Sequence, residues 1–330
     1  MPPDLAPLTL TTVLTSWTFD PLSVLVALVL GGGYLWARRK LARRGEAWRR
    51  GRSVAFGLGV GLILLLGASF IRVYADTLFW VRATDIIVTL MVVPLLLAMG
   101  SPVALALATL PEPAVRASRR ALASRTARVL TFPATTSVVL IATPWLIYFT
   151  GYYAAALRSP GIDALLRLHL LAAGFLYFYS RLQLDPVPRR YPQLISVVIT
   201  FAEVIFDAAL GLVLWLGPDL VAHNYYLALH RAWGPSPRTD QIIGAGVLWL
   251  VGDLAGLPFL GALLNRMAVD DEREAVEIDR ELDEREAAAN SDQERANAAG
   301  TSDNGGDPAP TRLWWEDDPV LAERFRRHGS

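Results

Sequence analysis

Seven ionisable side chains in this 330-residue chain sit where ionisable groups are rare: Arg82, Asp85, Arg167, His169, Glu203, Asp207 and Asp253. Each lies within, or at the mouth of, a long apolar stretch, and a charge there is costly unless it is paired or reaches water. Glu203 and Asp207 are one turn apart, so a helix through them shows both on one face. His169, Asp207, Asp253 and Glu203 are the candidate ligands of a metal or carriers of a proton. Arg82, Asp85, Arg167 and Asp207 are the candidate members of an internal ion-pair network that fixes the fold. A buried charge must be compensated, so some pairing among them is close to obligatory.

These residues have to be positioned by helices in a bilayer. The chain is 53% hydrophobic with a mean hydropathy of +0.35, too apolar for an ordinary soluble protein of this length. Apolar runs long enough for a bilayer-crossing helix, which needs about 20 residues, recur along it. They predict an all-α, polytopic transmembrane bundle of about seven helices. The spans fall near residues 21–37, 53–70, 83–107, 132–149, 162–179, 194–216 and 241–264. The third is the most irregular, with Arg82 and Asp85 at its entry, Pro94 inside it and Gly100-Ser101-Pro102 near its end. Bends of this kind are tolerated where neighbouring helices compensate them. Gly57, Gly59, Gly61 and Gly67 in the second span predict close helix packing.

The net charge of zero hides an asymmetry. Residues 267–330 hold 18 acidic and 8 basic residues, leaving 13 acidic and 23 basic residues in the apolar part. Basic loops at 38–52, 116–128 and 181–190 belong inside by the positive-inside rule, which puts the N-terminus outside and the C-terminus in the cytoplasm. The first 17 residues lack a basic start and a small-residue cleavage site, so they are read as a short outer segment of a plasma-membrane protein. Residues 1–268 form the membrane domain and 269–330 a soluble, acidic tail. Within the tail the sequence predicts a charged helix over 271–289, a disordered linker over 290–310 and a short helix over 311–328. Trp314, Trp315, Leu321 and Phe325 give that last segment an apolar surface, suited either to the chain's own inner face or to a partner.

Several functions are excluded on chemistry. Lys40, the one lysine, falls in a loop, so a retinal Schiff base has no amine. Bis-histidine haem needs facing histidines, and His169 is alone within the spans. Without cysteine there is no thiolate metal site or disulfide. No phosphate-binding loop or nucleophile–base motif is present, and nothing points to an enzyme or to a nucleic-acid partner.

The third span also carries a pattern: Tyr74, Phe79, Pro94, Leu96, Gly100, Pro102-Val103, Leu105 and Leu110-Pro111. It resembles, without gaps, the signature helix of the cytochrome c oxidase assembly factors of the CtaG type, integral membrane proteins linked to copper supply. Further matching elements are Asp185-Pro186-x-Pro188-Arg189, Asp240-Gln241-x-x-Gly244-x-Gly246-x-x-Trp249 and the exit from Asp270 to Arg280. The resemblance covers about residues 74–280 and implies a role in oxidase biogenesis or copper handling, with oxidase subunits or copper chaperones as partners beside the lipid bilayer. It departs at the ligand positions. Where the family pattern has histidines this chain has Arg82, Ile86, Arg167 and Asp207; Asp85 replaces a glutamine and Asp253 a glutamate. One histidine with carboxylates is a poor copper donor set. A salt-bridge network in place of a metal, a proton- or ion-coupled transporter using Glu203, Asp207 and Asp253, and a metal-free scaffold acting through its tail are the alternatives. In the first of these, Arg82 or Arg167 pairs with Asp207 or Asp85, and His169 is a hydrogen-bonding bystander.

Overall fold

A computed structural model describes residues 5–188 and 193–300. The chain divides into two compact units, Met1–Met267 and Ala268–Ser330. The described residues form helices and no strands. In order they are α1 (Leu10–Thr15), α2 (Pro21–Arg43), α3 (Arg50–Ala68), α4 (Phe70–Tyr74), α5 (Phe79–Ile87), a π-helical turn (Val88–Val92) and α6 (Val93–Met99). Then follow α7 (Pro102–Thr109), α8 (Glu112–Ala123), α9 (Arg125–Leu130), α10 (Pro133–Phe149), α11 (Tyr152–Arg158), α12 (Pro160–Leu182), α13 (Gln193–Leu216), α14 (His223–Ala228) and α15 (Pro237–Gly300).

Among the described residues, four segments are long and apolar enough to cross a membrane: α2, α3, the continuous run Phe79–Met99, and α12. The pair α10 and α11, bent by 66° at its break, makes a fifth if taken as one span. Their surfaces are inverted relative to a soluble protein. Leu28, Trp36, Leu58 and Val138 face outward, whereas the largest fully buried side chains are Arg82 and Arg181. In hydrocarbon this is the stable arrangement, since only the interior offers polar partners.

The irregular third span has a specific cause. Pro94 has no N–H, and its ring would collide with the carbonyl of Leu90 in a regular helix. The chain widens instead: Val88–Val92 is π-helical, and the Val93 N–H donates to the Val88 carbonyl, five residues back. The displaced Leu90 carbonyl lies against Gly174 of α12, where an added Cβ would overlap it and approach Pro94 Cγ to 2.7 Å. Glycine is required there because backbone meets backbone.

Two carboxylates clamp the ends of this segment. Helix α5 has no cap of its own, and Asp240, in the first turn of α15, accepts the Phe79 and Trp80 N–H groups at 3.0 Å each. At the other end Ser101 is left-handed, with φ at 51°, and Asp185 accepts the Ala104 N–H at 2.7 Å and the Val103 N–H at 3.4 Å. Each supplies from a distant part of the chain what an N-cap side chain supplies locally. Gln241, beside Asp240, accepts from the Val221 N–H and donates to the carbonyls of Leu214 and Asp219, fixing the connection out of α13.

In the second unit the described part of α15 is highly exposed, with Arg280 near Glu284 at 3.7 Å and Arg285 near Glu281 at 3.9 Å. Exposed pairs of this kind contribute under about 1 kcal/mol. The helix continues to Gly300, beyond the end at 289 read from the sequence. Ala, Gln, Glu and Arg between 293 and 299 are adequate helix formers once a turn precedes them. The segment 311–328 lies outside the described residues, as does the second half of the linker.

Gly174→Val should lower the thermal unfolding midpoint of the detergent-solubilised protein by the equivalent of about 3 kcal/mol, the upper range for overpacking. Gly61→Ala, where nothing lies within 4 Å of the added methyl, should leave the midpoint unchanged or raise it. Equal behaviour of the two variants would contradict the packing described for Gly174.

Candidate functional site: a buried ion-pair network

Two helices that cross the bundle, α2 and α12, begin at one end of it and supply carboxylates there. Asp20 is the N-cap of α2 and accepts the Ser23 N–H at 2.9 Å. Asp163 lies in the first turn of α12. Helix N-termini favour negative charge, so both positions suit an acid. The arginines come from α4, α5 and the second turn of α12. Arg82 binds Asp163 at 2.5 Å and Asp76 at 3.3 Å; Arg72 reaches the other oxygen of Asp163 at 3.1 Å. Arg167 touches that same oxygen at 3.2 Å and grips both oxygens of Asp20, at 2.7 and 3.2 Å. One buried carboxylate, Asp163, thus holds three guanidinium groups, and Arg167 carries the network across to α2.

A second pair lies toward the other end. Arg181, in the last turn of α12 and fully buried, binds Glu203 of α13 at 2.5 Å and donates to the Ser137 hydroxyl of α10 at 3.0 Å. Tyr177 donates its hydroxyl to the second Glu203 oxygen at 2.7 Å. Arg181 was read from the sequence as part of an inner loop; it is a helical residue inside the bundle. Burial pushes the Asp20 carboxyl up, but hydrogen bonds from Arg167 and Ser23 outweigh this and hold it at about 2.

The seven residues singled out by sequence fare differently. Arg82 and Arg167 share a network, but through Asp163 rather than through Asp85 or Asp207. Asp85 is buried, accepts no hydrogen bond and forms no ion pair among the described residues; it borders a cavity of about 40 Å³ with Ser23, Thr89 and Arg167. His169 is half-buried, with Nε2 3.4 Å from the Thr143 hydroxyl and its ring stacked on Tyr152. Asp207, half-buried on α13, takes no part in the Asp163 network. The Asp253 side chain lies outside the described residues. Among the described residues no group of three or more His, Asp or Glu side chains comes together as a metal would require.

Four network members, Asp20, Arg72, Asp76 and Asp163, escaped the sequence reading, and two had usable signals. Asp163 stands four residues before Arg167, the spacing of a helical ion pair. Asp20 directly precedes Pro21, a helix-start signature. Arg72 had none, because its short helix α4 offers no periodicity to read.

Fold and site define a helical membrane protein whose bundle is held at one end by buried ion pairs. The chain belongs to the cytochrome c oxidase caa3 assembly factor family, whose model matches residues 32–269. Uncharacterized proteins of Mycobacterium bovis and Mycobacterium tuberculosis are each 31% identical to it over 284 residues, and one of Mycobacterium leprae is 30% identical over 277. The matches take in 82–84% of this chain but only 42–43% of those relatives, so the chain spans less than half their length. No solved structure matches.

Asp163→Asn removes the charge shared by three arginines and should cost about 3–5 kcal/mol, the range for breaking a buried pair. Asp163→Glu keeps the charge and should lose less; equal losses would show that packing, not charge, dominates. A second prediction concerns pH. Asp20 has a folded pKa of about 2 against 3.8 unfolded, so its stabilisation is fully present above about pH 4 and is lost as pH falls toward 2. The midpoint difference between the parent and Asp20→Asn should therefore be constant near neutrality and shrink below about pH 4. A difference that holds constant down to pH 2.5 would contradict this.

Proposed function

We propose that the protein is a seven-span component of respiratory oxidase biogenesis in the plasma membrane, in which salt bridges hold the place of a metal centre. The observation that carries this is the Arg82–Asp163–Arg167 network, in a chain that belongs to an oxidase assembly family. The two arginines stand at positions where the family pattern has histidine, and each is neutralised by a carboxylate on another helix or another turn. Helix α13 and the first part of α15 supply the sixth and seventh spans. The basic segments after α2 and in α8–α9 argue for an outer N-terminus and a cytoplasmic tail, with the ion-pair end of the bundle outermost.

The donor set does not fit copper. Cysteine is absent from the chain, His169 has a hydroxyl and an aromatic ring as neighbours, and Glu203 is engaged by Arg181 and Tyr177. Guanidinium groups at Arg82 and Arg167 also repel a cation. A part in oxidase maturation would then run through contact with oxidase subunits or a copper chaperone rather than through a metal held by this chain.

A second reading, a proton- or ion-coupled transporter, is favoured by one observation. Asp85 is a buried carboxylate with no ion-pair partner among the described residues and with a cavity beside it. Intramembrane acids of that kind mark ion pathways.

Deleting the gene should lower assembled oxidase several-fold, and Asp163→Glu should restore more of it than Asp163→Asn. Normal oxidase levels under copper limitation, with loss of ion flux in membrane vesicles, would favour the transporter. Purified protein should carry well under one copper per chain after copper loading; stoichiometric copper lost on His169→Ala would overturn the metal-free reading. Reporter fusions after Trp17 and Arg295 should report from outside and inside respectively, and a tail that reports from outside refutes the orientation.

A further inference from the structure

The membrane-spanning unit holds an apolar groove that the ion-pair network does not use. It has a volume of about 800 Å³ and lies between α2, α3, α7, α8 and α12, with Leu30, Phe56, Leu107, Leu122, Leu171 and Phe175 among its walls. Its wall on α12 runs from Leu168 to Phe175, about 10 Å of rise, and its wall on α7 from Pro102 to Leu110, about 12 Å. Those depths approach the ~15 Å of one leaflet of a ~30 Å hydrocarbon core. The groove therefore has the dimensions of an acyl chain.

One end is charged. A neighbouring cavity of about 480 Å³ shares Leu107 and Leu122 with the groove and is lined by Arg119. Helix α8 is amphipathic: Val115, Ser118 and Leu122 face inward, while Arg116, Arg119 and Arg120 are exposed. None of these arginines has an ion-pair partner among the described residues. Arg44 donates to the carbonyl of Ala108 at 2.8 Å, which holds another guanidinium beside the same end of α7. A helix with one apolar face and one basic face lies at the membrane surface, where phosphate groups are its natural counter-charges.

We propose that this groove is a binding site for an anionic phospholipid, with one acyl chain against Leu107, Leu171 and Phe175 and the phosphate at Arg119, assisted by Arg116 and Arg44. A zwitterionic lipid would fill the same groove and offer the same phosphate, but its headgroup ammonium would meet the positive field of Arg44, Arg116 and Arg119, so charge complementarity selects the anionic class. A soluble peptide is disfavoured because the lining is almost wholly apolar and would leave an irregular backbone without hydrogen-bond partners.

Native mass spectrometry of the full chain tests this, with phosphatidylglycerol and phosphatidylcholine of identical acyl chains offered at equal concentration. Parent protein should retain phosphatidylglycerol selectively. Arg119→Gln should reduce that retention about fivefold and the Arg116→Gln/Arg119→Gln pair further, the change corresponding to each arginine's attraction for an anionic surface, with phosphatidylcholine unaffected. Ala106→Trp, which fills the groove, should reduce retention of both lipids, while Thr11→Ala, exposed on α1 and outside the groove lining, should reduce neither. Equal retention of the two lipids by the parent would overturn the proposal, and so would no retention of either or no response to the arginine changes. Loss of both lipids in the arginine variants without a change in selectivity would also overturn it. Thermal unfolding run in parallel separates misfolded variants, and Arg119→Lys, which restores charge, should recover retention.

Discussion

The arrangement depends on keeping Arg82 charged inside a membrane bundle. Its side chain is 1% exposed, and a guanidinium cannot shed its proton to escape the cost. Hydrocarbon gives it nothing, so the protein must bring carboxylates to it. Asp163 does so from the first turn of α12: its Oδ1 accepts a hydrogen bond from Arg82, and its Oδ2 lies within ion-pair distance of two further guanidinium groups. Arg82 uses one oxygen; Arg72 and Arg167 share the other. Satisfying Arg82 therefore fixes where α12 must begin relative to α5. Arg167, gripping Asp20 on the far side, then fixes α2. Coulombic need at one residue becomes the relative placement of three helices.

Such a network is weak evidence for net stability, since desolvating the charges offsets most of their attraction. What it does supply is a penalty for wrong arrangements: any displacement of α2, α5 or α12 along its axis strands a charge. The clamps at the ends of the Pro94 segment act in the same way on backbone groups. Asp240 and Asp185 each accept two N–H groups that a helix start would otherwise leave bare. Asp240-Gln241 and Asp185-Pro186 are among the motifs that carry the family resemblance, so the resemblance here reports helix placement more than chemistry. The π-turn and Gly174 belong to this group as well, because the bend made by Pro94 is usable only where a partner helix has no side chain in the way.

How much of this could be read in the sequence depends on the range of each interaction. The helix over residues 193–216 and the starts at Pro21 and near Pro160 follow from apolar length and from Pro after Asp or Ser, which are local signals. The break at Gly100-Ser101-Pro102 is equally local. That Arg82 and Arg167 need partners was legible from their apolar surroundings. Which carboxylates serve was not, because Asp163 and Asp20 sit at helix mouths, where an acid excites no suspicion, and their pairing spans 81 and 147 positions of sequence. Arg181 was misplaced for the converse reason: it stands next to a Pro-broken basic loop, and only the tertiary contact with Glu203 shows that it belongs to the bundle. The charged helix after the membrane domain runs on because extending an existing helix adds one hydrogen bond per residue fixed, with no Pro or Gly to oppose it between Asp271 and Gly300.

Counting charge at the network's end of the bundle leaves a remainder. Arg72, Arg82 and Arg167 face Asp20, Asp76 and Asp163 in contact pairs, which accounts for three cations and three carboxylates. Asp85 is a further acid there, buried and without a hydrogen bond or ion pair among the described residues. Arg167 borders the same cavity, so its positive field reaches Asp85 across that space. That cavity is about 40 Å³, enough for ordered water, and its hydroxyls on Ser23 and Thr89 provide the partners that buried water needs. Among the described residues, Asp85 is thus the one acid of this group that neither caps a helix nor contacts a guanidinium. The pairing of three arginines with three carboxylates fixes the helices that carry them and leaves this acid facing only the cavity, its hydroxyls and the nearby guanidinium groups.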